Sequence, residues 1–153
     1  MKNFFLLSFF IFILSSCTTS AGIIYDDTIP LEETAWIGLF NLGTITGYNG
    51  VSVNWKLTGP KMVQIPAGDT LLEVNLFSDR EGITYRGEGL IFRYNFQKQK
   101  QYFFQADIQN TIRGLRVHEY DFGERVAPPN DYAKHYVGFV PFLNVQHGPT
   151  ILQ

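Results

Sequence analysis

The sequence predicts an all-β fold: a single antiparallel β-sandwich of about seven to nine strands behind a short apolar N-terminal segment. Four segments alternate apolar and polar side chains with a period of two, which is typical of strands that bury one face. Turn residues separate such segments at intervals of roughly 8 to 12 residues. No convincing amphipathic helical pattern lies between them, so the apolar faces of the strands must build the core.

The alternating segments are residues 50–57, 70–77, 90–96 and 101–108. Each one places polar side chains on the face opposite its apolar ones, as a half-buried antiparallel strand does. The predicted core faces are Val51, Val53, Trp55 and Leu57; Leu72, Val74 and Leu76; Leu90, Phe92, Tyr94 and Phe96; and Tyr102, Phe104, Ala106 and Ile108.

Short polar stretches predict the connections between strands. Asn49-Gly50 is a strong hairpin signal, because both turn residues must tolerate a positive φ. Residues 78–82 and 97–100 have the length and polarity of hairpin loops. Gly87 and Gly89 precede a strand rather than a helix, which favours a β-bulge or a close backbone approach over a phosphate-binding loop.

The N-terminus has the layout of an export signal. Lys2, the apolar block of residues 4–14 and two small serines follow one another, and the block is shorter than the roughly 20 residues that a membrane-spanning helix needs. We therefore divide the chain into a signal peptide (1–16), an N-terminal tether (17–32) and a β-sandwich domain (33–153). An ordinary secretory signal cut near residues 19–21 and an uncleaved anchor are the alternatives.

The stretch Leu14-Ser15-Ser16-Cys17 resembles the lipobox of bacterial lipoproteins. The resemblance implies that Cys17 receives a diacylglyceryl group, that the preceding peptide is removed, and that the new N-terminus is acylated. Acyl chains on Cys17 would hold the protein at a membrane of the cell envelope. In enteric-type bacteria an Asp just after the cysteine retains a lipoprotein at the inner membrane, so by that rule Thr18 favours the outer membrane.

Charge and cysteine content limit the partners and the means of stabilisation. Without residues 1–16 the chain keeps 11 basic and 14 acidic residues, a formal charge of −3. This mildly acidic balance argues against a nucleic-acid partner. Cys17 is the single cysteine, so no intramolecular disulfide can form and the core alone must stabilise the fold. No cofactor is predicted.

Two further stretches resemble small bacterial lipoproteins of the immunoglobulin-like or transthyretin-like sandwich type. They are the turn Ile65-Pro66-Ala67-Gly68 before a long strand, and Lys100-Gln101-Tyr102 where those proteins have a Gly-Lys-x-Tyr hairpin. Gln99 stands where glycine is usual. The resemblance implies a fold and a location but no activity.

The histidines are His118, His135 and His147, and His118 is followed by Glu119 and Asp121. On a strand, His118 points to one face and the two carboxylates to the other, which makes a poor zinc site. We therefore predict no catalytic, cofactor-binding or metal-ligating residue. A metal- or carboxylate-dependent envelope hydrolase that uses His118, Glu119 or Asp121 is the alternative.

Other candidate sites have simpler explanations. The acidic pairs Asp26-Asp27 and Glu32-Glu33 lack the spaced oxygen ligands of a calcium loop and are predicted to form a solvated approach to the first strand. Trp36 and Trp55 are candidates for stacking on sugars, but Trp55 falls on an apolar face and is assigned to the core.

The C-terminal stretch is aromatic and breaks the alternation. Pro128-Pro129 ends any strand, and Asn130 or Asp131 is a candidate cap for a short helical turn through Tyr136. Pro141 confines the last segment to an edge or an irregular path. We expect the aromatic side chains to cover an open face or edge of the sandwich, with a partner or ligand surface as the alternative. These side chains are Tyr132, Tyr136, Phe139 and Phe142.

Together these features predict a lipid-anchored protein of the cell envelope that is not an enzyme. We expect it to act as a binding or assembly module for an envelope partner. A purely structural surface lipoprotein is the second alternative, beside the hydrolase.

Overall fold

The computed structural model describes residues 23–24, 28–39, 43–57, 62–80, 83–108, 112–124, 132–144 and 151–152. A 3₁₀ turn (Leu31–Glu33) precedes the second strand, and a short helix, α1 (Tyr132–His135), precedes the tenth. The strands are β1 (Ile23–Ile24), β2 (Thr34–Leu39), β3 (Gly43–Tyr48), β4 (Val51–Leu57), β5 (Val63–Pro66), β6 (Gly68–Arg80), β7 (Ile83–Phe96), β8 (Lys100–Ile108), β9 (Ile112–Asp121), β10 (Tyr136–Pro141) and β11 (Ile151–Leu152).

Two sheets form a β-sandwich, as the sequence predicts. One has the strand order β1-β5-β2-β8-β9-β10 and the other β11-β7-β6-β3-β4. Within the described residues, nine strands are longer than two residues. Most neighbouring strands are antiparallel, but β2 runs parallel to β8 and β1 parallel to β5. The six-stranded sheet is therefore mixed, which the predicted antiparallel pattern did not include.

The core lies between the sheets and uses the predicted alternating faces. Its aromatic side chains pack edge to face or tilted, for example Phe92 on Phe104 with ring centroids 5.1 Å apart. This geometry adds to the free energy gained by burial. The fully buried members include Leu72, Val74, Phe92, Phe96, Tyr102 and Phe104.

The edge strand β4 buries its predicted face only in part. The Asn49-Gly50 turn is confirmed, with φ of 48° and 82°. Leu57 at the far end of β4 is buried, while Val51 beside the turn is 57 % exposed. Between them, Trp55 packs on Tyr48 with ring centroids 5.7 Å apart. An edge strand has a neighbour on one side only, so part of its predicted core face stays open to solvent.

The predicted hairpin at residues 97–100 is wrong. These residues connect β7 and β8, which belong to different sheets. The Gln99 N–H donates to the Thr34 carbonyl (2.8 Å), and the Gln99 carbonyl accepts from the Phe122 N–H (3.0 Å), so two backbone hydrogen bonds hold the crossing at Gln99. Sequence cannot tell the two cases apart, because strands paired in a hairpin and strands facing each other across a sandwich both turn an apolar face to the core.

The predicted hairpin between β6 and β7 is confirmed, with paired residues as far as Arg80 and Ile83. The predicted bulge interrupts it, because Glu88 and Gly89 stand opposite Asn75 alone. Gly89 has a φ of 59°, and its N–H donates to Asn75 Oδ1 at 2.8 Å. Glycine adopts this left-handed backbone without the cost that other residues pay.

The tail connects the two sheets. The predicted helical turn is confirmed as α1, which ends at His135 because Tyr136 already begins β10, the edge strand of the six-stranded sheet. Pro141 ends this edge strand, as predicted. Phe142 then enters the core with 6 % exposure. The side chain of Asn144 forms two hydrogen bonds with the backbone of β7: its Oδ1 accepts from an N–H at 2.9 Å and its Nδ2 donates to a carbonyl oxygen at 2.6 Å.

Candidate functional site

Several predicted residues lie outside the described part of the chain. These are the lipid attachment residue Cys17, the acidic pair Asp26-Asp27, the prolines and cap candidates of residues 128–131, and His147. The predictions of a signal peptide and a lipid anchor therefore stay predictions.

His118 and the two carboxylates that follow it lie on opposite faces of β9, as predicted. Lys100 on β8 binds both carboxylates, with its Nζ 2.6 Å from Asp121 Oδ1 and 3.4 Å from Glu119 Oε1. The hydrogen bond from Lys100 holds the pKa of Asp121 below its usual range, and the same bond raises the pKa of Lys100. Among the residues described, no group of three or more His, Cys, Asp or Glu side chains is arranged to hold a metal ion.

Tyr102 lies beside these carboxylates, fully buried in the core. Burial raises the pKa of its phenol, and the charge of Glu119 adds to the rise. The phenol oxygen accepts a hydrogen bond of 2.9 Å from the Gln97 N–H. Tyr102 therefore holds the crossing between β7 and β8 in place.

A groove of about 730 Å³ lies on the outer face of the six-stranded sheet, away from the core. Strands β8 and β9 form its floor, β10 forms one wall and α1 contributes to its rim. Its volume falls within the roughly 300–1,000 Å³ of small-molecule sites. The lining residues of this outer groove are Gln105, Asp107, Arg116, His118, Ala133, Tyr136 and Phe139.

A β-bulge in β10 turns both aromatic side chains of the outer groove to the same face. The strand gains one residue at Val137 relative to β9. In a regular strand, positions 136 and 139 would point to opposite faces, because three steps separate them and successive side chains alternate. Tyr136 and Phe139 are 48 % and 44 % exposed, so half of each side chain faces the groove and solvent.

The floor of the outer groove carries an ion pair and an amide. Nε of Arg116 donates to Asp107 Oδ1 at 2.9 Å, and Nη2 lies 2.8 Å from the same oxygen in an ion pair. Gln105 stands directly opposite Arg116 across the two strands. Within the described ranges, the Gln105 amide, Asp107 Oδ2 and Arg116 Nη1 have no hydrogen-bond partner. The floor therefore offers donors and acceptors but no net charge from this pair.

Two histidines support one end of the outer groove. His135 of α1 stacks on Tyr120 with ring centroids 4.1 Å apart, and its Nδ1 lies 3.1 Å from the Glu119 carbonyl oxygen. His118 is 3 % exposed and meets Tyr136 edge to face at 5.9 Å. Both rings are packed against other rings, and they hold α1 and β10 against the sheet.

The remaining predicted candidates lie away from the outer groove. Trp55 belongs to the five-stranded sheet and packs against the core, as predicted. Trp36 is half-buried on the outer face of the six-stranded sheet, with its ring 5.9 Å from that of Phe122. Glu33 of the predicted acidic approach forms an ion pair with Lys98.

A smaller groove of about 280 Å³ lies on the five-stranded sheet. Its one aromatic side chain, Phe77, is covered by Arg86, whose guanidinium carbon is 5.5 Å from the ring centre. The outer groove is therefore the better candidate, because its rings are open and its polar groups are unused.

Sequence reasoning missed the floor of the outer groove. Gln105, Asp107 and Arg116 alternate with core residues, as the solvated face of any half-buried strand does. The opposite charges of Asp107 and Arg116 were a signal, but only the register of β8 and β9 places them together.

No helix in the described part of the chain has both the length and the apolar character to cross a membrane. Comparison with known protein families, curated proteins and solved structures finds no match to this chain.

Proposed function

We propose that this protein is a lipid-anchored binding module of the cell envelope, which acts without catalysis and holds its ligand in the outer groove. One observation carries the proposal: the bulge of β10 turns Tyr136 and Phe139 onto a floor of polar side chains. Open aromatic side chains beside unused donors and acceptors are typical of binding surfaces.

The anchor rests on the sequence. Cys17 follows a short apolar block and two serines, and no other cysteine exists to form a disulfide with it. Two or three acyl chains would hold the domain at a membrane. The anchor would then keep the outer groove at a high effective concentration relative to a ligand of the same envelope.

The hydrolase alternative lacks a comparable observation. Lys100 binds Glu119 and Asp121 on the face opposite His118. The alternative of a purely structural lipoprotein differs from ours in that the outer groove would stay empty in the cell.

Photo-crosslinking in living cells tests occupancy of the outer groove. A photoreactive amino acid at Gln105 of the full-length protein should give adducts, whereas the same group at the exposed Asn54 of β4 should give none. A Gln105 position that forms no adduct would favour the structural alternative.

Fractionation of cell envelopes tests the anchor. Cys17→Ser should leave the membrane fraction, while Thr19→Ala, which keeps the lipobox, should stay in it. A Cys17→Ser protein that remained wholly in the membrane would contradict the proposed anchor.

A further inference from the structure

We propose that the ligand of the outer groove is a neutral glycan chain, with sugar rings against Tyr136 and Phe139 and hydroxyl groups on Gln105, Asp107 and Arg116. This inference rests on the proposed function and adds to it the chemical class of the ligand.

The aromatic wall fits a ligand with an apolar face and a polar edge. Tyr136 and Phe139 point to the same side of β10, and each keeps nearly half of its surface open. A pyranose ring presents C–H groups on its faces and hydroxyls around its edge. It can therefore cover an aromatic face, which attracts weakly positive C–H groups, and still reach polar side chains.

The floor fits the hydroxyl groups. Gln105 offers an amide, Asp107 a carboxylate oxygen and Arg116 a guanidinium nitrogen, and in the described residues these atoms bond nothing else. Each sugar hydroxyl is both a donor and an acceptor, so adjacent hydroxyls can satisfy both kinds of group. An acyl chain in the same place would desolvate all three groups without replacing their hydrogen bonds to water.

The charge of the floor favours a neutral ligand. Asp107 neutralises Arg116, and no lysine or second arginine is among the described lining residues. A phosphate or a nucleic acid would meet the Asp107 carboxylate beside Arg116, and the acidic domain would repel it at longer range. A neutral glycan leaves the pair intact.

The position of the outer groove favours a chain that lies on the face of the sheet. An extended peptide that paired with the backbone would add to the edge of β10, beside the groove rather than in it. The groove itself is open to solvent on one side, so a polymer can lie along it without threading.

Saturation-transfer NMR on the full-length protein in detergent micelles tests the ligand class. The probes are a panel of neutral oligosaccharides, including chitohexaose and cellohexaose, at concentrations that reveal millimolar binding. We expect Tyr136→Ala, Phe139→Ala and Gln105→Ala each to weaken binding on the order of tenfold. Val51→Ala, which truncates an exposed apolar side chain on the other sheet, should bind like the wild type. Circular dichroism confirms that each variant is folded.

The outcomes separate the two proposals. The inference is supported if the wild type shows saturation transfer to a glycan, the groove variants lose it and Val51→Ala keeps it. No transfer to any glycan, or transfer that the groove variants do not change, overturns it. If no glycan binds, the photoreactive group at Gln105 shows whether the groove holds a ligand of another class. Adducts to a protein or a lipid would keep the proposed binding module and change its ligand. No adduct at all would overturn both proposals.

Discussion

The ring of Phe139 lies so close to Gly114 that a β-carbon at position 114 would come within 2.5 Å of the ring's Cζ atom. The same β-carbon would also meet the carbonyl oxygen of Val140. The missing side chain of Gly114 therefore lets β10 approach β9 and lays one ring of the outer groove across the sheet.

Replacing Gly114 with alanine should push β10 and the Phe139 ring outward. We expect Gly114→Ala to lower the free energy of unfolding by about 1–3 kcal/mol, because the neighbouring strand must shift to make room. Gly138→Ala in β10 is the matched control, since nothing lies within 4 Å of its added β-carbon. Its effect should stay below about 0.5 kcal/mol. Urea unfolding measures both, and equal losses would contradict the role given to Gly114.

The ion pair on the groove floor should contribute more than an exposed one. Arg116→Met leaves the Asp107 carboxylate, 12 % exposed, without its partner, which should cost about 1–2 kcal/mol. Arg93 Nη1 lies 3.8 Å from Asp69 Oδ2, and both side chains are 62 % exposed. Arg93→Met should therefore lower the free energy of unfolding by no more than about 0.5 kcal/mol. If urea unfolding at neutral pH gave the same loss for both variants, the floor would be as solvated as the open surface.

Local periodicity predicts the strands but not their partners. Phe92 and Phe104 alternate with polar residues, and this pattern fixes which side of each strand is buried whichever strand lies beside it. The crossing at Gln97 to Gln99 and the parallel pairing of β2 with β8 depend on contacts that are distant in sequence.

The outer groove could not be predicted from the sequence, because its geometry also depends on how two strands pair. Its aromatic wall depends on one inserted residue, Val137, and Tyr136-Val137-Gly138-Phe139 has no local feature that marks a bulge. A strict period of two would separate Tyr136 from Phe139. The sequence predicts that the aromatic tail covers a face or an edge of the sandwich, but it does not predict that Tyr136 and Phe139 share one face.

The tail should prove essential to stability. Phe142 is 6 % exposed and contacts Phe92 edge to face, with ring centroids 6.4 Å apart. Phe142→Ala should therefore cost about 3–5 kcal/mol. Phe122→Ala removes a ring that is 52 % exposed and should cost about 1 kcal/mol or less. Thermal and urea unfolding measure both, and a small loss for Phe142→Ala would mean that the sandwich closes without its tail.

The buried phenol of Tyr102 should make the fold sensitive to alkali. Burial raises its pKa in the folded protein above the ordinary value of 10.0. The protonated phenol therefore contributes fully to the free energy of unfolding below about pH 10. This contribution is lost as the pH rises toward the pKa of the folded protein, because the unfolded chain releases the proton first. We expect the wild-type free energy of unfolding to decline above pH 10.

Tyr102→Phe should decline less steeply over the same range, since it has no phenol to ionise. At neutral pH the variant also loses the hydrogen bond from the Gln97 N–H, which should cost about 1 kcal/mol. Urea unfolding between pH 7 and pH 11 measures both effects. A variant with the wild-type slope above pH 10 would show that this phenol ionises as readily in the folded chain as in the unfolded one, and the crossing between the sheets would then be open to water at Tyr102.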